Sequence, residues 1–105
     1  MSPNATTDAV SLSAAKIKVP QHVVYRTFPT ETVVLNLHTG RYHGLNTTAG
    51  RMLEALEQAL CVSDAAAAVA DDYKQAASVV EKDMCALCEL LLARGLVEID
   101  GGPGG

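Results

Sequence analysis

The segment that most constrains the fold runs from Val33 to Asn46 and reads VVLNLHTGRYHGLN. Apolar residues at positions 33, 35 and 37 recur with a period of two, which places their side chains on one face of a strand. His38-Thr39-Gly40 supplies a turn, because glycine adopts positive φ readily. Arg41–Leu45 then alternates as a second strand before Asn46, a preferred helix N-cap. We therefore predict a short hairpin that leads directly into a helix and leaves an open strand edge.

A further strand is predicted before this hairpin, from Val23 to Phe28. Pro29-Thr30-Glu31 forms the turn between the first two strands. Two tight connections among three strands imply an antiparallel meander with Arg41–Leu45 at one edge. Three helices and a short final strand at Leu96–Ile99 complete the pattern. The predicted class is α+β, a winged helix-turn-helix arrangement with an N-terminal three-stranded antiparallel sheet followed by three helices.

N-cap residues delimit the first two predicted helices. The first helix follows Asn46 and carries an apolar stripe at helical spacing. The members of this stripe are Ala49, Met52, Leu53, Leu56 and Leu60. The second helix is predicted to begin at Ser63 and has an Ala-rich body from Ala65 to Ala70. We expect this second helix to be short and closely packed, since alanine favours helix but has little surface to bury.

The third predicted helix is the longest and carries two apolar stripes. Ser78 and Glu81 fit a capping box at its start, and Gly95 suits the left-handed position after its end. The stripe that suits the core consists of Val80, Met84, Leu87 and Leu91. The second stripe consists of Val79, Asp83, Ala86, Leu90 and Ala93. This second stripe either belongs to the core as well or faces a groove beside the edge strand.

Length and composition indicate one small domain. The chain has 105 residues, of which 49% are hydrophobic. Residues 1–15 are predicted to form a flexible arm, residues 16–100 the folded domain, and the GGPGG sequence at 101–105 a disordered tail. No stretch approaches the roughly 18 apolar residues of a membrane span, and no secretory signal is recognisable. We therefore expect a cytoplasmic protein without a membrane partner.

Charge and cysteine content weigh against two other classes of protein. The net charge is −4, and the third helix is acidic overall, which disfavours the alternative of a winged-helix DNA-binding regulator. Cys85-x-x-Cys88 lies inside a predicted helix, without the second donor pair that zinc needs. None of His22, His38 and His43 has a partner at a spacing typical of catalysis. We predict no catalytic residue, no metal site and no cofactor, and no nucleic acid partner.

The chain from about Val23 to Glu98 resembles the PqqD-like family, also called RiPP recognition elements. The resemblance rests on TVVLNLHTGRYHGLNTTAGRMLEAL, on the helix that contains Asp83, and on the closing LLLARGLVEI. Asn36 stands where many relatives carry Asp, and the N-terminal arm is longer than the minimal domain. At this length the chain is similar to the free-standing leader-binding proteins of split lasso-peptide B systems.

The resemblance implies a non-catalytic adaptor. Such a domain binds the leader segment of a ribosomally synthesised precursor peptide by β-strand addition and delivers it to a modifying enzyme or leader peptidase. The strand contacts that the resemblance implies are Arg41, Tyr42, His43, Gly44 and Leu45. The helix contacts that it implies are Val79, Asp83, Met84 and Leu87.

Overall fold

The computed structural model describes residues 12–100. In chain order its elements are β1 (Ile17–Lys18), β2 (Val23–Thr27), β3 (Thr32–Asn36), β4 (Arg41–Leu45), α1 (Thr47–Gln58), α2 (Val62–Tyr73), α3 (Ala77–Ala93) and β5 (Glu98–Ile99). Strands β2, β3 and β4 form an antiparallel sheet in that order, and β1 pairs with β5. The α+β class and the three-stranded meander are confirmed. So is the position of Arg41–Leu45 as an edge strand.

The two faces of the three-stranded sheet carry different side chains. Thr32, Val34 and Asn36 of β3 are buried on the inner face, which packs against the helices. The apolar residues that alternate with them, Val33 and Leu35, are only half-buried on the outer face. The period of two seen in the sequence is therefore correct, but its apolar members lie on the outer face of the sheet.

Predicted signals at two helix ends are confirmed. The Asn46 side chain accepts a hydrogen bond from the Ala49 amide at 2.8 Å and caps α1. At the end of α3, Gly95 has φ +70°, and Leu96 donates its amide to the Leu91 carbonyl at 2.9 Å. This left-handed ending satisfies backbone groups that the last helical turn leaves unpaired, and it turns Leu96 into the core.

Three other sequence predictions for the helices are wrong. Helix α2 begins one residue before Ser63, after Cys61, and has no side-chain cap. Helix α3 also lacks a side-chain cap, because it begins after Ala76 and Ser78 therefore lies inside its first turn. Glu81 accepts a hydrogen bond from the Ser13 hydroxyl. Leu60 lies beyond the end of α1 and is exposed, so it does not belong to the apolar stripe of that helix.

The chain before β1 packs onto the helices within the described residues. Leu12 is buried in the core, although the sequence predicted a flexible arm through residue 15. The Ala15 carbonyl accepts the Val62 amide at the start of α2, and the Lys16 ammonium donates to the Glu57 carbonyl at 2.7 Å near the end of α1. A cation at this end of a helix also offsets the negative end of the helix dipole. The rest of the predicted arm and the predicted tail lie outside the described residues.

Candidate peptide-binding edge

The hydrogen-bond ladder between β2 and β3 determines which backbone groups of the sheet point outward. The Leu37 amide donates to the His22 carbonyl, and the Phe28 amide donates to the Glu31 carbonyl, each at 2.7 Å. Hydrogen-bonded and non-hydrogen-bonded pairs alternate along an antiparallel ladder. Every second residue of β3, beginning with Thr32, therefore directs its N–H and C=O toward β4.

The same alternation applies to β4. Val34 pairs with His43 in the β3–β4 register, so His43 and its alternate neighbours direct their backbone groups toward β3. The N–H and C=O groups of Tyr42 and Gly44 consequently point away from the sheet. No hydrogen bond within residues 12–100 engages these two amides. Strand β4 thus presents two residues with unpaired backbone groups, to which an added strand can bind.

A groove of about 570 Å³ runs beside the start of β4 and connects it with the end of α3. The residues that line this groove are Asn36, Thr39, Arg41, Tyr42, His43 and Arg94. Arg94 is the C-cap residue that directly follows α3, so this end of the helix forms one wall of the groove. Three of the five predicted strand contacts, Arg41, Tyr42 and His43, line the groove.

The second apolar stripe of α3 is exposed. Every one of its members, Val79, Asp83, Ala86, Leu90 and Ala93, is exposed to solvent. Val79 is 53% exposed and Leu90 is 41% exposed. The reading in which this stripe belongs to the core is therefore excluded. The stripe continues to Arg94 at the wall of the groove, one helical turn beyond Leu90.

Two of the predicted contact residues belong to the core instead. Met84 is completely buried, because it lies on the opposite stripe of α3 with Val80 and Leu91. Leu45 is also buried, and its backbone groups bond β3, so it offers an added strand neither a side chain nor a free amide. Leu87 is half-buried against the core.

Arg94 lines the groove but was not among the residues predicted from the sequence. The available signal was its place four residues after Leu90, at the end of the stripe predicted to face the edge strand. Residues at this spacing share a helix face. The outward direction of the Tyr42 and Gly44 backbone groups was also missed, because it depends on the hydrogen-bonding phase of the β2–β3 hairpin.

The opposite edge of the sheet, β2, has a groove of its own. Two glutamates of α1, Glu54 and Glu57, line this groove, and their carboxylates accept hydrogen bonds from side chains of β2. The Tyr25 hydroxyl donates to Glu57, and the Thr27 hydroxyl donates to Glu54 at 3.2 Å. Burial, reinforced by the hydrogen bond to Glu57, raises the pKa of the Tyr25 phenol above its ordinary value. At this edge, side chains from a neighbouring helix are tied to the strand.

Within the cysteine pair, Cys88 lacks the exposure and the low thiol pKa that a reactive cysteine needs. Cys88 is completely buried, and this burial raises the pKa of its thiol to about 12. The thiol form is therefore favoured over the nucleophilic thiolate.

Residues 12–100 contain no cluster of three or more His, Cys, Asp or Glu side chains suited to a metal ion. Nor does this part of the chain contain a helix long and apolar enough to cross a membrane.

Comparison with known proteins identifies the family. A profile of the family described as "Coenzyme PQQ synthesis protein D (PqqD)" matches residues 31–97, which is more than half of the chain. The chain therefore belongs to the PqqD family, as the sequence resemblance indicated. No curated protein sequence matches it.

Two solved structures share this fold. One, described as TbiB1 in complex with the TbiA(beta) leader peptide, is 28% identical with a TM-score of 0.69. That match covers 77% of this chain and 94% of the other. The second, a lasso peptide synthetase B1 complexed with the leader peptide, is 23% identical with a TM-score of 0.70. It covers 80% of this chain and 99% of the other, and at this identity it supports the fold alone.

Proposed function

We propose that this protein is a non-catalytic RiPP recognition element of lasso-peptide biosynthesis. It binds the leader segment of a ribosomally synthesised precursor peptide as an added strand on β4. It then delivers the precursor to a leader peptidase or another modifying enzyme. The observation that carries this proposal is the unpaired edge of β4, where Tyr42 and Gly44 direct their backbone groups outward beside a groove.

Membership of the PqqD family and the likeness to TbiB1, which was solved with a leader peptide, support a peptide as the ligand. Strand addition needs backbone groups without internal partners and a neighbouring surface for alternate side chains. Strand β4 provides the first, and the exposed stripe of α3 that ends at Arg94 provides the second. Arg41 and His43 occupy the side of β4 that faces the helices, so leader side chains on that side would lie against them.

The energies of these contacts favour moderate affinity. Four outward backbone groups on Tyr42 and Gly44 can each form a hydrogen bond worth about 0.5–1.5 kcal/mol net. Each apolar leader side chain buried in the groove adds roughly 1.5–3 kcal/mol. Ordering a flexible peptide opposes binding by several kcal/mol. We expect a submicromolar dissociation constant. Binding at this affinity would raise the local concentration of precursor at the partner enzyme.

The winged helix-turn-helix arrangement is part of the same proposal. It is supported by the packing of α2 against both α1 and α3, and by a short strand pair, β1–β5, that follows α3 in the sequence. The acidic side chains Glu81, Asp83 and Glu89 of α3 disfavour DNA as the ligand, because the phosphate backbone repels them. A gel-shift assay at low salt should therefore show no shifted duplex.

The direct test is a titration of labelled leader peptides followed by fluorescence anisotropy. Two probes are suitable. One is the TbiA(beta) leader peptide, and the other is the leader of a precursor peptide whose gene neighbours the gene for this protein. We expect saturable binding of the second probe with 1:1 stoichiometry. A flat titration with both probes at protein concentrations above 50 μM, roughly a hundred times the expected dissociation constant, would contradict the proposed function.

A further inference from the structure

The groove beside β4 differs in charge from the groove beside β2. Two arginines, Arg41 and Arg94, line it, and none of its lining residues is acidic. The groove beside β2 instead contains Glu54 and Glu57 with a single arginine. The chain as a whole carries a net charge of −4. The groove next to the unpaired strand is therefore positively charged, although the chain as a whole is acidic.

Neither arginine of this groove is neutralised by the protein. Within residues 12–100 the ion pair present joins Arg51 and Asp72 on the helices, away from this groove. No hydrogen bond from the guanidinium of Arg41 or Arg94 occurs in the described part of the chain. A guanidinium presents a planar fork of donors that matches a carboxylate in a bidentate geometry.

The two arginines lie where a side chain of a strand added to β4 would be placed. Arg41 is the first residue of β4 and lies on the same side of the strand as His43, toward the helices. Arg94 approaches from the end of α3. A peptide paired with Tyr42 and Gly44 would place one side chain near Arg41 and between the two guanidinium groups.

From this geometry we infer that the groove selects leader peptides with an aspartate or glutamate at the position beside Arg41. The carboxylate binds between Arg41 and Arg94, while apolar leader side chains contact the end of the exposed stripe of α3 at Leu90. This inference rests on the proposed function and adds a charge requirement to it. It also gives the leader a register, because sliding by two residues would remove the carboxylate from the arginines.

Parallel selections from one random 15-residue peptide library displayed on phage test this inference. One selection uses the wild-type protein, and the other uses the Arg41→Gln/Arg94→Gln double variant. Both arginines are exposed, so the variant should keep the wild-type melting temperature. Wild-type binders should share an acidic residue at a fixed distance from apolar ones. Binders of the variant should keep the apolar spacing and lose the acidic residue.

Anisotropy then measures the effect on the best wild-type binder. Replacing its acidic residue with the matching amide should weaken binding to wild type by about five- to tenfold, and to the double variant by less than twofold. An equal loss with both proteins, or binders without an acidic preference, would overturn the charge requirement while leaving strand addition intact. Failure to select any binder would instead contradict the proposed function, and this inference with it.

Discussion

The two edges of the three-stranded sheet differ in what lies beside them. At β2, Glu54 and Glu57 of α1 reach across and accept hydrogen bonds from the side chains of Thr27 and Tyr25. At β4, the backbone groups of Tyr42 and Gly44 point into solvent, and the neighbouring helix contributes Arg94 without a bond to the strand. Both strands are edges in topology. The two edges therefore differ in their flanking side chains: carboxylates bonded to the strand at β2, and an arginine not bonded to the strand at β4.

The outward groups of β2 follow from the same ladder. Phe28 and His22 belong to pairs that bond β3, so Tyr25 and Thr27 direct their amides away from the sheet. An added strand at β2 would meet the carboxylates of α1, which disfavour an acidic peptide. An added strand at β4 would meet two arginines. We therefore expect β4 to bind the leader and β2 to remain free.

The largest expected effect comes from removing one outward amide of β4. Gly44→Pro deletes an N–H that no described residue uses and leaves the β3–β4 hydrogen bonds in place. Loss of this bond, together with the proline ring at the place where an added strand would approach, should weaken leader binding at least tenfold in anisotropy titrations. Gly44→Ala keeps the amide, and the added Cβ meets only the end of the Glu31 side chain at 3.3 Å, so it should bind like wild type.

A proline on the opposite edge tests whether the leader also binds β2. Thr27→Pro also deletes an outward amide, but at β2, and it should leave leader affinity within twofold of wild type. Because it also removes the hydrogen bond to Glu54, thermal unfolding must first show that the variant is folded. A larger loss of leader affinity in Thr27→Pro than in Gly44→Pro would place the binding edge at β2.

A smaller effect is expected from the exposed stripe of α3. Leu90 lies one turn before Arg94, whereas Val79 lies near the far end of the helix. Leu90→Ser should weaken leader binding about three- to fivefold, since it removes part of an apolar contact of roughly 1 kcal/mol. Val79→Ser, at a side chain of similar exposure, should change affinity less than twofold. Equal losses from both substitutions would mean that the peptide follows the whole helix.

The β2 edge should be the more sensitive to alkaline pH. The pKa of Tyr25 is raised in the folded protein above its unfolded value of about 10, because burial and Glu57 disfavour the phenolate. The stabilisation from this group is complete below pH 10 and is lost as the pH rises above 10. The melting temperature of wild type should therefore fall more steeply between pH 9.5 and 11 than that of Tyr25→Phe. Parallel curves for the two proteins would contradict this assignment.

The smallest effect is expected from the thiols, which belong to neither edge. Iodoacetamide at pH 8 should label Cys61 and Cys85 well before Cys88, whose burial and raised pKa suppress the thiolate. Peptide mapping by mass spectrometry measures the order of labelling. The labelled protein should bind the leader within twofold of the untreated protein, and a larger loss would assign the cysteines a part in binding.

Much of the fold could be predicted from local signals in the sequence. The Asn46 cap, the turn through Gly40 and the ending of α3 at Gly95 each depend on a few neighbouring residues, and all three occur as expected. The predicted caps at Ser63 and Ser78 were wrong because both helices begin earlier, after Cys61 and Ala76. The tertiary contacts of the preceding chain were not predicted either. Residues 12–16 pack along the helix ends, bring Ser13 to Glu81, and join the Ala15 carbonyl to the start of α2.

The general position of the site could be predicted from the sequence. Which residues belong to it depends on side-chain packing, which the sequence does not reveal. Periodicity separated the two stripes of α3, yet Met84 was assigned to the contact surface although its own spacing places it in the core. Gly50 shows why such packing is hard to foresee. A Cβ there would lie 2.1 Å from the Thr32 hydroxyl, so a single missing side chain lets α1 approach β3. No local pattern in the sequence signals this contact.

Amide hydrogen exchange measured by NMR, with and without bound leader peptide, determines whether β4 or β2 is the binding edge. An added strand on β4 must accept hydrogen bonds from Tyr42 and Gly44, so exchange of these two amides should slow at least tenfold on binding. The amides of Tyr25 and Thr27 on β2 should keep their exchange rates. Protection of the β2 amides with unchanged exchange at Tyr42 and Gly44 would contradict β4 as the binding edge.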